Sequence, residues 1–170
     1  ARAFSDGPIR YLHGQHILLD AEHALVGVDG WGDARLGNVA GTPIELNDFL
    51  LIEELAGLDP AARIEKLRAL GDESARALEG PLAEALAAAR RVIVLTHVPP
   101  FAEACWYQGS TSHPDWLPYF ACAAVGEVLL RMADAHPRRT IEVLCGHTHS
   151  AGTARPRPNA RTSAGPGCAR

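Results

Sequence analysis

Two short apolar runs in the second half of the chain each lead directly into a loop that contains histidine. Residues 92–95 (VIVL) precede Thr96-His97, and Thr140–Cys145 precedes residues 146–149 (GHTH). Apolar runs of this length are typical of buried strands, and the segment between them has a helical pattern. The strand, helix, strand order predicts an α/β layered fold whose functional loops leave the strand ends.

The first third of the chain predicts two further strands and a loop. Residues 15–19 and 24–28 are apolar runs joined by a short polar connection, which predicts an antiparallel pair. Residues 30–38 contain three glycines, and such a loop folds tightly where positive φ angles are needed. Loops of this kind often line sites.

Apolar residues at helical spacing predict most of the remaining elements. Asp59 is a suitable N-cap for one helix, with Pro60 in its first position and Gly71 at its end. A following helix is expected to be interrupted at Gly80-Pro81, where proline removes a backbone donor. The predicted helices are 45–57, 60–70, 72–90 and 115–135, and residues 101–114 are expected to be irregular. The domain is expected to end at residue 153, before a poorly ordered tail at 154–170.

Charge and composition exclude several classes of function. The net charge is −4 with a pI near 6.1, and the basic residues are scattered, so there is no clear nucleic-acid footprint, and single-stranded or end-directed substrates stay open. No apolar stretch approaches the roughly 20 residues that span a bilayer, and residues 1–6 lack a signal-peptide core, which predicts a cytoplasmic protein without membrane contact. The four cysteines show no Cys-x-x-Cys spacing, so most are expected to be buried thiols.

Three histidines at the two strand ends are the candidate metal ligands. Neutral imidazole binds Zn, Fe and Mn well, and strand ends hold its direction. An extended backbone through His147 and His149 would point both rings to the same side, and His97 comes from the neighbouring predicted strand. The remaining histidines lack this context and are expected at the surface or in loops: His13, His16, His23, His113 and His136.

Residues 94–100 (VLTHVPP) and 143–149 (VLCGHTH) resemble the two C-terminal signature blocks of the calcineurin-like metallophosphoesterases. The resemblance extends over about residues 12–150 and implies a layered β-sandwich flanked by helices. It also implies a dinuclear centre of divalent or trivalent Mn, Fe, Zn or Co between the two sheets. By this resemblance His97 and His147 bind the second metal and His149 binds the first. The implied activity is hydrolysis of a phosphomonoester or phosphodiester by metal-activated hydroxide.

The chain departs from the family pattern in its acidic ligands. The Asp-x-His, Gly-Asp and Asn-His-Asp/Glu blocks of the family are absent, and Gly32-Asp33 lies within one loop rather than after its own strand. Two dications held close together need anionic ligands, which three neutral histidines do not supply. The chain is therefore interpreted as the C-terminal portion of such a domain, and these residues alone are not expected to be a competent catalyst.

Two further residues and two alternative functions remain open. Residues 29–37 resemble a segment of some bacterial family members, and Arg35 and Trp31 in this loop are candidate substrate-binding residues. A surface ion pair for Arg35 and a packing role for Trp31 are the alternatives. One alternative function is a hydrolase with a mononuclear His₃ zinc site. The other is a degenerate relative that serves as a binding module; the oligomeric state is not predicted.

Overall fold

The computed structural model describes residues 9–165, which form one mixed sheet with helices against it. The strands are β1 (Gln15–Leu18), β2 (His23–Gly27), β3 (Arg91–Leu95), β4 (Trp106–Tyr107), β5 (Ser110–Thr111), β6 (Thr140–Cys145), β7 (Gly152–Arg157) and β8 (Ala160–Ala164). The helices are α1 (Asp48–Leu51), α2 (Pro60–Ala88), α3 (Leu117–Phe120) and α4 (Ala123–Ala135), with a 3₁₀ turn at Ala102–Ala104.

The six-stranded sheet has the order β1-β2-β3-β6-β8-β7, and β4 and β5 form a separate short hairpin. Strands β2, β3, β6 and β8 run parallel, while β1 and β7 are antiparallel edges. The prediction of an α/β fold is therefore confirmed, as is the antiparallel pairing of β1 with β2. The second sheet of a sandwich is not found among residues 9–165.

Helices α2 and α4 pack side by side on one face of the sheet and form the main core with it. Alternate strand residues such as Val26, Val94 and Val143 point into this core and are fully or almost fully buried. The opposite face carries Leu25 and Leu144, and Leu144 keeps 41% of its surface exposed. Within the described residues, no helix layer covers this second face, which is called the open face below.

Helix α2 is one continuous helix of 29 residues, so the predicted ends at Gly71 and Gly80-Pro81 are wrong. Its buried positions recur every three or four residues without a break: Leu67, Gly71, Ser74, Leu78, Leu82, Ala85 and Leu86. Burial of this stripe, against a second small core and the loop after β2 at its start and against the sheet further on, outweighs the local cost of glycine and proline. The predicted N-cap is confirmed, because the Asp59 carboxylate accepts hydrogen bonds from the backbone of Ala61 and Ala62.

Two other predicted helices are shorter than expected. The pattern at 45–57 yields a helix only over Asp48–Leu51, after which Ile52 is extended. The pattern at 115–135 is split into α3 and α4, because Ala121 is extended and its carbonyl accepts the backbone N–H of Asp33. Cys122 also leaves the helical pattern and donates its N–H to the carbonyl of Pro99. Long-range hydrogen bonds thus decide where these helices end.

The predicted poorly ordered tail is a strand hairpin over most of its length. Strand β8 pairs in parallel with β6 and antiparallel with β7. The side chains buried on β8 are the small Ala160, Thr162 and Ala164, which give little apolar signal in the sequence. The amide of Asn159 anchors the hairpin by donating to the carbonyl of Ala133 and two others. Residues 166–170 lie outside the described residues.

A membrane-spanning helix is not found among residues 9–165, since none of the helices combines the necessary length with sufficient apolar character.

Candidate functional site

The carboxyl ends of β2, β3 and β6 lie next to one another and carry Asp29, His97 and His147. The backbone N–H of His97 donates to the carbonyl of Asp29 at 2.7 Å, and the N–H of Gly146 donates to the carbonyl of His97 at 3.0 Å. These bonds continue the parallel pairing beyond the strands and set the three loops in register. In open α/β sheets, ligands bind at this edge.

His97 and His147 form a close pair of imidazole rings. Nε2 of His97 lies 3.0 Å from Nδ1 of His147, and the ring centroids are 4.9 Å apart. The ring of Phe120 packs edge-on against His147, with centroids 4.6 Å apart. The sequence prediction that the two strand ends bring these histidines together is consistent with this geometry.

Burial changes the pKa of the His147 ring. It lowers the pKa of His147 to about 4, with further lowering by the neighbouring charges of His97 and His149. The ring is therefore neutral at physiological pH, which is the form that binds metals. Its other nitrogen, Nε2, is buried without a hydrogen-bond partner among the described residues.

The backbone after β6 is a turn rather than the extended segment expected from the His-x-His spacing. His147 has φ 67° and His149 has φ 58°, a region that non-glycine residues rarely adopt. Such strained residues cluster at functional sites. Because of this turn the ring of His149 is exposed and does not join the pair. Within residues 9–165, no group of three His, Cys, Asp or Glu side chains converges to form a metal site.

The pair itself fits one side of a transition-metal centre. The observed N···N distance of 3.0 Å is that of a hydrogen bond between the two rings. Two nitrogens bound to one ion at about 2.1 Å and about a right angle would also be about 3 Å apart. Within residues 9–165, no carboxylate or thiolate joins the pair as a third ligand.

Asp29, His13 and Tyr11 form a polar cluster beside His97 that the sequence analysis missed. The hydroxyl of Tyr11 donates to the carboxylate of Asp29, and this bond raises the pKa of Tyr11. Nδ1 of His13 accepts the backbone N–H of Asp29 at 3.1 Å. A cavity of about 250 Å³ is lined by these three residues together with Thr96 and His97. Asp29 directly follows an apolar strand, the same signal that identified His97.

Arg35 is held by two carboxylates rather than by the histidine pair. Its guanidinium donates to Asp33 at 3.1 Å and to Asp72 at 2.7 Å, which matches the alternative of an ion pair. Asp33 is completely buried, and its carboxylate also accepts the backbone N–H of Ala124 at the start of α4. Asp33 therefore joins the loop to α4. A substrate-binding role for Arg35 stays a prediction.

Trp31 packs partly against a small second core and also lines a cavity. Its neighbours in that core include the buried Phe49, Leu55 and Leu67. The preceding Gly30 has φ +69°, and a Cβ there would lie 2.4 Å from Oγ1 of Thr96. Only glycine therefore allows the loop to pass this close to β3 and present Trp31 beside Asp29.

Comparison with known proteins found no matching family model and no match among curated proteins. One of the solved structures that are similar is a dimetal phosphatase from Danio rerio, with 15% sequence identity and a TM-score of 0.48. The similarity covers 89% of this chain and 48% of that chain. The chain thus spans about half the length of that phosphatase, and the comparison does not by itself define its family.

Proposed function

We propose that this chain carries the histidine side of the dinuclear metal centre of a metal-dependent phosphoesterase. In this proposal His97 and His147 bind the same metal, and His149 turns inward to bind the other. The anionic ligands come from polypeptide that supplies the missing signature blocks. The substrate is a phosphomonoester or phosphodiester.

The observation that carries the proposal is the 3.0 Å approach of the His97 and His147 nitrogens at adjacent parallel strand ends. The two signature-like segments that place them are far apart in the sequence, and sheet pairing between β3 and β6 brings them together. The open face, which carries Leu25 and Leu144 beside the Glu142–Arg161 ion pair, is where a second sheet would pack to complete the implied sandwich. Asp29 and His13 would then line the approach to the metals.

A bound metal pair would supply positive charge for the phosphoryl oxygens and lower the pKa of a water molecule. The chain's own residues prepare that site. Burial keeps the His147 ring neutral, and Phe120 and the turn at His147 hold its direction. The hydrogen bond between the backbones of His97 and Asp29 keeps the neighbouring loops in register. Rigid positioning of this kind is what a metal site requires.

Metal titration of the chain tests the proposal. We expect Co²⁺ or Zn²⁺ to bind at about one equivalent, and His97→Ala or His147→Ala to weaken affinity at least about tenfold, because each removes a ligand. His113→Ala is the matched control, since His113 is exposed and its ring lies beside Asp115. Isothermal titration calorimetry gives the affinity, and the Co²⁺ absorption spectrum reports nitrogen ligation.

Equal affinity in all four proteins would contradict the proposal. Hydrolysis of a chromogenic phosphodiester by the metal-loaded chain is a second measurement. We expect no ordinary turnover until the missing acidic ligands are supplied. Turnover by these residues alone, with one tightly held zinc per chain, would favour the mononuclear alternative instead.

A further inference from the structure

A cavity of about 340 Å³ lies beside the polar cluster, between the loop after β2 and helix α2. Trp31, Leu55 and Leu70 provide its apolar lining, and Asp29, Glu54 and Glu73 provide carboxylates. Its volume is at the lower end of the range of small-molecule pockets, roughly 300–1,000 Å³. An apolar wall with a few polar groups is the usual composition of such pockets.

The charge of this cavity selects the kind of ligand. Neither lysine nor arginine lines it in the described part of the chain. Glu54 and Glu73 are exposed and form no ion pair with any residue in 9–165. A phosphate group would be repelled by these carboxylates, whereas a cation would be attracted by them and by the indole of Trp31.

The cavity shares two lining residues with the smaller cavity that reaches His97. His13 and Asp29 line both this cavity and the smaller one that reaches His97. A ligand in the larger cavity would therefore contact two of the residues that also line the cavity at His97. We propose that the cavity at Trp31 binds the alkylammonium group of an ester whose phosphoryl group lies at His97 and His147. The position of the phosphoryl group rests on the proposed function, but binding of the ammonium group does not.

Choline and its neutral isostere 3,3-dimethylbutan-1-ol test the inference, because they have the same shape and differ in charge. The indole N–H signal of Trp31 in two-dimensional NMR, assigned with Trp31→Phe, reports binding directly. We expect choline to shift this signal with an affinity at least about fivefold higher than that of the isostere. Neither probe contains phosphorus, and no metal is added.

Charge-neutralising variants locate the binding. Glu54→Gln and Glu73→Gln are exposed substitutions that leave the core untouched, and each is expected to weaken choline binding about threefold to fivefold. Glu53→Gln is the matched control, because Glu53 neighbours Glu54 and does not line the cavity. It removes the same charge and is expected to leave the affinity unchanged.

Absence of a choline-induced shift, equal affinities for the two probes, or equal losses in all three glutamate variants would each overturn the inference. None of these results would affect the metal titration of His97 and His147. Conversely, failure of metal binding with retained choline selectivity would reject the proposed function and leave the ammonium site in place.

Discussion

Replacing Gly71 by alanine tests whether close packing or helix propensity controls the middle of α2. Alanine in a helix interior is favoured over glycine by about 1 kcal/mol. A Cβ at position 71, however, would lie 2.4 Å from Cβ of Asp33, about 1 Å inside ordinary contact. Asp33 cannot move freely, because its backbone N–H is bonded to Ala121 and its carboxylate to Ala124.

Overpacking of a buried contact costs about 1–3 kcal/mol, and the rigid neighbour places Gly71→Ala near the upper end. After the propensity gain, we expect a net loss of about 1–2 kcal/mol in the free energy of unfolding. Gly80→Ala in the same helix is the control, since no atom outside its chain neighbours and the nearby helix backbone lies within 4 Å of a Cβ there. Its propensity gain is partly offset by contact with the ring of Pro81, so its stability should change by less than about 0.5 kcal/mol.

Urea unfolding followed by far-ultraviolet circular dichroism measures both variants against the parent chain. The midpoint of Gly71→Ala should fall while that of Gly80→Ala stays within error or rises. An unchanged or higher midpoint for Gly71→Ala would refute the packing argument, because the helix would then have room for the methyl group.

Two further predictions concern buried polar groups. Asp33→Ala should lower the free energy of unfolding by about 3 kcal/mol, because it leaves a helix N–H and one side of Arg35 without their buried partner. The Asp72 side chain, the other partner of Arg35, is 47% exposed, so Asp72→Ala should cost less than about 1 kcal/mol in the same urea assay. Equal costs for Asp33→Ala and Asp72→Ala would contradict these roles. Burial raises the pKa of Cys105, Cys122 and Cys145 to about 12. Their alkylation by iodoacetamide at about pH 8 should therefore be slow in the folded chain and fast in urea, as mapped by mass spectrometry. Rapid labelling of any of these three cysteines in the folded chain would show that its thiol is not buried.

Apolar runs were sufficient to predict the central strands. Strands β3 and β6 combine a fully buried inner face with β-branched residues, so their pattern is strong and local. Strand β8 has the same kind of position in the sheet but buries only alanine and threonine. Its sequence therefore resembles a loop, and only pairing with β6 and β7 makes it a strand.

Helix ends depended on contacts that are distant in the sequence. Gly71 and Pro81 are ordinary helix-ending signals, yet both lie inside α2 because its buried stripe continues past them. Conversely, the apolar spacing over 115–135 predicted one helix, and the bonds to Asp33 and Pro99 divide it. Glycine costs about 1 kcal/mol and proline about 3 kcal/mol inside a helix, and burial of several leucines at about 1.5–3 kcal/mol each exceeds that sum. An ordinary residue's propensity differs by less than about 0.7 kcal/mol, whereas a buried backbone group without a partner costs about 1–3 kcal/mol.

The histidine site shows the same division between local pattern and tertiary structure. The sequence by itself determined that His97 and His147 follow buried strands, because the residue types next to each histidine carry that information. Only the tertiary structure decided that their nitrogens meet at 3.0 Å, because the parallel pairing of β3 with β6 places the two loops side by side. It also decided that His149 is exposed, in a turn where both histidines have positive φ. The acidic cavity beside Trp31 was also decided there, since its carboxylates come from three separate segments that only the folded chain brings together.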